Sequence, residues 1–271
     1  MSILVRLFGF PATLIHGDPL VWDRWRWLKR RLPVTANGES LIDVGCGSGA
    51  FSIGAAKRGY RALGLSWDIA NQEKARERAR QCRTREAQFE ICDVRELDER
   101  QQFREAFDVA ICCENIEHIL NDAKLMRDMA ACLKPGGRLL LTTPNYHYRA
   151  ITKDDNGPFA TTETGEHVRR GYTRTMLLEL IELAGLKCEE VSYCSGYFSQ
   201  KVAQIMRALY RVHPAIGWTA ILPLRPLVPL LDATLGRMLN WPGFSICIEA
   251  YKPRYAPRVV AESGTITALR A

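Results

Sequence analysis

The sequence lacks a C-x-x-C pair, and its nine cysteines show no compact spacing. Several of them, Cys46, Cys112, Cys113 and Cys247, lie in apolar runs or tight turns. That is reduced, intracellular usage rather than a disulfide framework, and it implies a cytoplasmic chain. Also missing is an unbroken apolar run of the roughly 18 to 20 residues that a membrane span needs. The N-terminal stretch MSILVRLFGFPATLIHG is apolar, but Arg6 sits inside it, Pro11 interrupts it and no small-residue cleavage site follows, so export is not expected. Acid is the scarcer charge: 30 acidic residues face 37 basic ones, for a net charge of +7. That balance suits an acidic partner such as nucleic acid or anionic lipid, and it is equally ordinary for a soluble bacterial-type enzyme. With 271 residues and 47% apolar content, one large core with an insertion accounts for the chain without a second independent domain.

What is present is organised around residues 41–60, LIDVGCGSGAFSIGAAKRGY. Residues 41–44 are a short apolar run with one acid, the pattern of a buried parallel strand. Gly45, Cys46, Gly47, Ser48 and Gly49 then make a turn almost without side chains, and a helix over about residues 50–58 ends at Gly59. Strand, glycine turn and helix together let a ligand lie against bare backbone. Gly45, Gly47 and Ala50 satisfy the dinucleotide spacing G-x-G-x-x-G/A, which also requires an acid at the end of the next strand. That strand, residues 61–65, is followed by Ser66 instead, so a dehydrogenase is the weakest reading.

Asp43, two residues before the first glycine, and Gly49 as the third glycine complete D-V-G-C-G-S-G. This closely resembles motif I of the class I S-adenosylmethionine (SAM) methyltransferases. The resemblance implies that Asp43 and the backbone of Gly45, Cys46, Gly47 and Gly49 surround the cofactor's amino acid end; the alternative for Asp43 is a carboxylate capping the turn. G-L-S-W-D-I-A-N is similar to the cyclopropane-synthase and sterol-methyltransferase variant, in which a hydroxyl and an amide replace the ribose-binding acid. It implies Ser66 and Asn71 as ribose ligands, with Gln72 as substitute if the register slips; otherwise Ser66 only caps the following helix. F-E-I-C-D-V-R-E-L resembles the adenine motif, with Asp93 accepting from the exocyclic amine and Val94 covering the ring. Lys134-Pro135-Gly136-Gly137 reads as the turn before a fifth strand over residues 138–142. Strands and helices alternate over residues 40–143, which implies a parallel sheet with ligands at its C-terminal edge. The expected fold is a doubly wound, mostly parallel, seven-stranded Rossmann-like sheet, with residues 39–194 and 244–252 as the SAM-binding core and S-adenosylhomocysteine (SAH) as product.

The chemistry-bearing stretch is E-N-I-E-H at residues 114–118. A helix beginning at about Glu114 would put Glu114, Glu117 and His118 on one face. E-x-x-E-H resembles the ubiquinone-pathway O-methyltransferases and the small-RNA 2′-O-methyltransferases. The latter add a histidine before an aromatic-threonine pair; here His167 precedes Tyr172-Thr173 with one extra residue. The resemblance implies a divalent ion, of open identity, held by Glu114, Glu117, His118 and His167. In metal-free relatives Glu114 lies near the cofactor and His118 is a general base or merely holds the helix. His118, Glu117 and His167 are the catalytic candidates on either reading.

Residues 1–38 are expected as an N-terminal helical cap. Within them, residues 19–32 put Trp22, Trp25 and Leu28 or Leu32 on one helical stripe and Arg24, Lys29, Arg30 and Arg31 mostly elsewhere. Such a helix either packs over the cofactor pocket or offers a basic aromatic surface to membrane or RNA. Residues 145–165 read as a mobile loop beside the acceptor. Residues 195–243 are an insertion rich in Leu, Ile, Trp and Pro, broken by Pro214, Pro223, Arg225, Pro226 and Pro229. A helical cap over the acceptor site is expected, with peripheral bilayer contact or homodimerisation as the other roles. Residues 253–271 read as a flexible tail. The expected acceptor is a hydroxyl of an apolar or glycosylated small molecule: quinone, polyketide, lipid or sugar. No N-P-P-Y-type tetrapeptide follows the fourth strand, which argues against nitrogen. RNA, a carbon acceptor and a catalytically silent SAM-binding membrane adapter are the alternatives.

Overall fold

The computed structural model describes residues 2–15 and 19–254; most of the expected tail lies outside them. Its seven-stranded sheet has the order β3-β2-β1-β4-β5-β7-β6. The strands are β1 (Ser40–Val44), β2 (Arg61–Ser66), β3 (Ala87–Ile91), β4 (Phe107–Cys113), β5 (Leu133–Pro144), β6 (Lys187–Cys194) and β7 (Ser245–Tyr251). All neighbouring pairs are parallel except those that β7 makes with β5 and β6. The doubly wound sheet expected from the sequence is therefore the fold.

Three helices precede β1: α1 (Ser2–Phe8), α2 (Phe10–Ile15) and α3 (Pro19–Arg31). Then come α4 (Ala50–Ala56), α5 (Ile69–Gln81), α6 (Asp122–Cys132) and α7 (Arg174–Leu183). Successive strand residues point to opposite faces, and the core divides accordingly. Ile42, Val44, Ala110, Cys112, Leu139 and Leu141 meet Met126, Met129 and Leu177 of α6 and α7. Leu41, Val109, Ile111 and Leu140 meet Ile53, Ala75, Trp25 and Leu28 of α3, α4 and α5. Trp25 reaches Phe51 and Phe10 because Gly54 offers no side chain; a Cβ there would lie 2.3 Å from the indole. Helix α3 thus lies along the sheet face, where Trp27 Nε1 donates to Ser192 Oγ at 2.9 Å, and not across the strands' C-terminal edge. Arg24, expected on the polar side, is buried.

Two further boundaries differ from the sequence reading. β5 begins at Leu133, and its P-G-G segment bulges out opposite Asp108, which Lys134 Nζ contacts at 2.8 Å. Residues 195–243 contain α8 (Tyr197–Tyr210), α9 (Pro214–Ala220) and α10 (Val228–Met238), with a 3₁₀ turn at Leu222–Leu227. By length and composition Pro214–Met238 is long and apolar enough to cross a membrane, contrary to the sequence expectation. Its helical path is interrupted at that proline-containing turn.

Candidate active site

The order of the sheet reverses between β1 and β4, so the crossover helices leave from opposite faces and a crevice opens at the strands' C-terminal edge. A cavity of about 310 Å³ occupies it. Its walls are Gly45 and Gly47 from the turn after β1, Ser66, Trp67, Asp68 and Asn71 after β2, and Asp93, Val94 and Arg95 after β3. Glu114, Asn115, His118 and Ile119 follow β4, and Glu163 and Gly165 come from the loop beyond β5.

Each glycine of the turn has its own reason. All three take positive φ. A Cβ on Gly45 would lie 2.3 Å from Asn115 Cγ, and one on Gly49 would lie 2.6 Å from the Phe89 ring. Gly47 has nothing within 4 Å on that side, so its backbone faces open space in the cavity. Asp43 lies behind the turn, fully buried, and accepts from Ser52 Oγ at 2.6 Å. Burial pushes its carboxyl up to about 7 against the opposing Ser52 hydrogen bonds. Cys46 and Gln72 are also behind the wall, with Gln72 Nε2 donating to Cys46 Sγ at 3.4 Å. Asn71, not Gln72, therefore reaches the cavity.

At the ribose side, Ser66 Oγ accepts from the Asp68 N–H at 3.2 Å. Asp68 caps α5 by accepting from the Asn71 N–H and holds the Asn71 side-chain amide at 2.8 Å. At the next strand edge, both carboxylate oxygens of Asp93 accept from Arg95, which keeps this carboxyl below its usual range. Arg95 Nη1 also donates to Glu163 Oε2 at 2.6 Å, tying the loop beyond β5 to this wall.

After β4 the chain does not begin a helix at Glu114. Glu114 sits at φ +50°, and a 3₁₀ turn covers Ile116–His118. The change turns Glu114 away from its expected companions. Glu114 Oε1 accepts from Thr142 Oγ1 at 3.0 Å and Ser245 Oγ at 2.9 Å, while Oε2 lies 3.0 Å from Arg24 Nη2. Glu117, His118 and His167 come together without it, with one ligand atom from each within 4.8 Å of the others. Glu117 is fully buried, accepts from Thr143 Oγ1 at 3.0 Å, and lies 4.0 Å from His118 Nε2. The His167 ring meets that of His118 edge-on at 4.6 Å, because the Val168 N–H donates to the Glu117 carbonyl at 3.1 Å. Burial, then the Glu114 charge, raises the Glu117 carboxyl well above its ordinary value. Burial, then His118, lowers His167 and favours its neutral imidazole. Glu117 Oε1 and His118 Nδ1 are buried without a hydrogen-bond partner. Buried polar atoms seldom stay unpaired, so this cluster has unused ligating capacity.

Residues 19–191 match the family model described as a methyltransferase domain. The chain belongs to this family. Its fold is that of the class I SAM-dependent methyltransferases. It is 30% identical over 117 residues to a ubiquinone biosynthesis O-methyltransferase of Coxiella burnetii, covering 43% of this chain and 48% of the relative. For the enzyme of the same name from Stutzerimonas stutzeri the identity is 32% over 130 residues, covering 47% and 53%. The chain thus spans about half the length of the curated relatives it matches. The solved SAM-dependent methyltransferase of Mesorhizobium loti superposes with a TM-score of 0.55 at 19% identity, covering 88% of this chain and all of the other. The phosphoethanolamine N-methyltransferase 2 of Haemonchus contortus, solved with SAM, gives 0.61 at 18% identity over 93% and 60%. These two likenesses carry the fold alone.

The cavity of this methyltransferase domain suits SAM on two observations: the open side of Gly47, and polar walls from three successive strand ends. Of the residues the sequence pointed to, Gly45, Gly47, Ser66, Asn71, Asp93, Val94, Glu114 and His118 line it. Asp43, Cys46 and Gly49 back the turn, and Glu117 and His167 join His118 beside the cavity. Sequence reasoning missed Asn115, Trp67, Arg95 and Glu163. Asn115 and Arg95 lay inside motifs already singled out, but only the fold shows that Asn115 blocks a side chain at Gly45 and that Arg95 reaches a loop 68 positions away. Arg24 carried no signal beyond its charge.

Proposed function

We propose that this methyltransferase transfers the sulfonium methyl of SAM to a hydroxyl of a small apolar molecule of the quinone class. The observation that carries the reading is the convergence of Glu117, His118 and His167 at the rim of the glycine-walled cavity, with two buried polar atoms unpaired. The relatives' name, ubiquinone biosynthesis O-methyltransferase, favours oxygen and a quinone-type acceptor. Cytoplasmic placement agrees with nine free cysteines. A peripheral bilayer contact agrees with an apolar acceptor.

Methyl transfer is an in-line displacement, so the protein's first task is alignment, worth about 7–11 kcal/mol in favourable cases. Gly45, Gly47, Ser66, Asn71 and Asp93 hold the donor in the cavity, and the acceptor enters beside His118. As the acceptor oxygen forms its bond to the methyl carbon, the carbon–sulfur bond breaks and His118 takes the hydroxyl proton. Glu117, whose Oε1 lies 4.0 Å from His118 Nε2, orients the ring for this step. The same three side chains, one carboxylate and two imidazoles, are a donor set suited to zinc or manganese. A divalent ion held by Glu117, His118 and His167 would supply Lewis acidity to the acceptor hydroxyl.

The test is labelled SAM with a panel of catechols, quinols, sugars and RNA, with and without a chelator. Label in the catechol or quinol products alone supports the reading; label in RNA alone overturns the acceptor class. Loss of turnover with chelator, restored by added ion, assigns the metal role, and indifference to chelator assigns the proton to His118.

A further inference from the structure

The outer surface of residues 212–239 is apolar where a soluble protein's surface is ordinarily polar. Val212, Leu230 and Met238 are 75%, 71% and 76% exposed, and Ile216, Leu227 and Leu239 are also exposed. On α10 this is a second face. Val228 joins Val202, Met206 and Ile221 inside, while Leu227, Leu230 and Met238 stay exposed on an adjacent face. Helices α9 and α10 are nevertheless firmly seated on α8. A Cβ at Gly217 would lie 2.8 Å from the Met206 carbonyl oxygen and the Tyr210 nitrogen.

Charge identifies what this face meets. Residues 195–243 hold five cations, Lys201, Arg207, Arg211, Arg225 and Arg237, and one acid, Asp232. The acid is turned inward, accepting from the Gly196 and Ser199 N–H groups at 2.6 and 2.9 Å. Arg211 and Arg237 stand immediately beside the most exposed apolar residues, Val212 and Met238. We infer that residues 210–239 dock in the plane of an anionic phospholipid bilayer, with the apolar stripe in the acyl boundary and the arginines at the headgroups. A two-fold contact between copies through this face would set like charges against each other. A crossing would have to peel α9 and α10 off α8 and carry Arg225, near the middle of Pro214–Met238, into the hydrocarbon. Lying in the interface requires neither.

The docked face leads to the site. Arg207 of α8 pairs with Asp155 at 3.6 Å, and Ala203 packs with Tyr148 and Ile151 of the loop after β5. This is the loop that further along carries His167. Docking would therefore set the loop beside the acceptor near the bilayer, which suits an apolar acceptor. That consequence rests on the proposed acceptor class; the docking itself does not.

The experiment is flotation of the full chain with vesicles, without SAM. Neutral phosphatidylcholine vesicles are compared with vesicles containing phosphatidylglycerol, at low and high salt. The expected result is binding roughly tenfold stronger to the anionic vesicles, weakened by salt. The double variant Leu230→Asp, Met238→Asp should lose it while keeping SAH binding and the wild-type circular dichroism. Arg237→Glu should weaken binding to anionic vesicles alone. Absence of vesicle binding overturns the inference, as does equal binding by the double variant. A dimer in sedimentation that the double variant abolishes, with no vesicle binding, assigns the face to a second copy. Because SAM is absent, none of these outcomes bears on methyl transfer.

Discussion

Arg24, on a helix that precedes the sheet, forms a buried ion pair with Glu114, on the strand edge at the cofactor cavity, at 3.0 Å. Ser245 of the last strand holds the same carboxylate. The two ends of the described chain therefore meet on one wall residue of the site.

Removing one partner of such a pair strands the other. Arg24→Ala should destabilise the fold by about 3 kcal/mol in urea unfolding, because the Glu114 charge is left without its guanidinium. It should also weaken SAH binding in calorimetry, since Glu114 lines the cavity. Arg24→Lys should recover part of the stability.

The glycines of the turn should separate packing from binding. Gly47→Ala should cost about 1 kcal/mol, the strain of a side chain at positive φ, and lower SAH affinity by filling the cavity. Gly45→Ala should cost more, because its Cβ meets Asn115 as well. Unfolding midpoints and SAH titration of the two variants, side by side, check the order.

Asp43 makes stability depend on pH. Its folded value, about 7, lies above its unfolded one, so the folded state holds the proton more tightly. Its stabilising contribution is full below about pH 4 and is lost as pH rises through about 7. Asp43→Asn should therefore gain stability relative to the wild type as pH rises across that window. Thermal melts of both proteins without ligand measure the difference. SAH binding by the variant should fall, because the turn loses the carboxylate behind it.

Glu117→Gln keeps the shape of the buried side chain and removes its capacity to gain or lose a proton. Turnover should drop by about 10²-fold with little change in SAH affinity. Single-turnover rates and SAH calorimetry separate the two. Imidazole protection of His118 against diethyl pyrocarbonate should change in the same variant, since Glu117 is its near neighbour.

The sheet and the cofactor wall were legible because they depend on local chemistry. Buried parallel strands read as apolar runs, and a turn at positive φ reads as glycine, so Leu41 to Gly49 announced both at once. Ser66 and Asp93 were legible for the same reason, each standing at or just past a strand's end, whereas Asn71, in the first turn of α5, was named only by the cyclopropane-synthase resemblance. Glu114 was not. Its backbone adopts positive φ where the sequence suggested a first helical residue, and its partners Arg24 and Ser245 are 90 and 131 positions away. Helical spacing put Glu114, Glu117 and His118 together; the 3₁₀ turn and the Arg24 charge pulled the first of them out. His167 was found through its aromatic-threonine neighbours, although what brings it to His118 is a backbone hydrogen bond to Glu117 that no pattern encodes.

The strand made last belongs between two made earlier: β7 fills the gap separating β5 from β6. While the ribosome is still adding the insertion, both neighbours present raw backbone edges, which invite pairing with any passing extended segment. A nascent chain stalled between Cys194 and Ser245 is thus sticky along two borders, although the glycine-turn half is already complete.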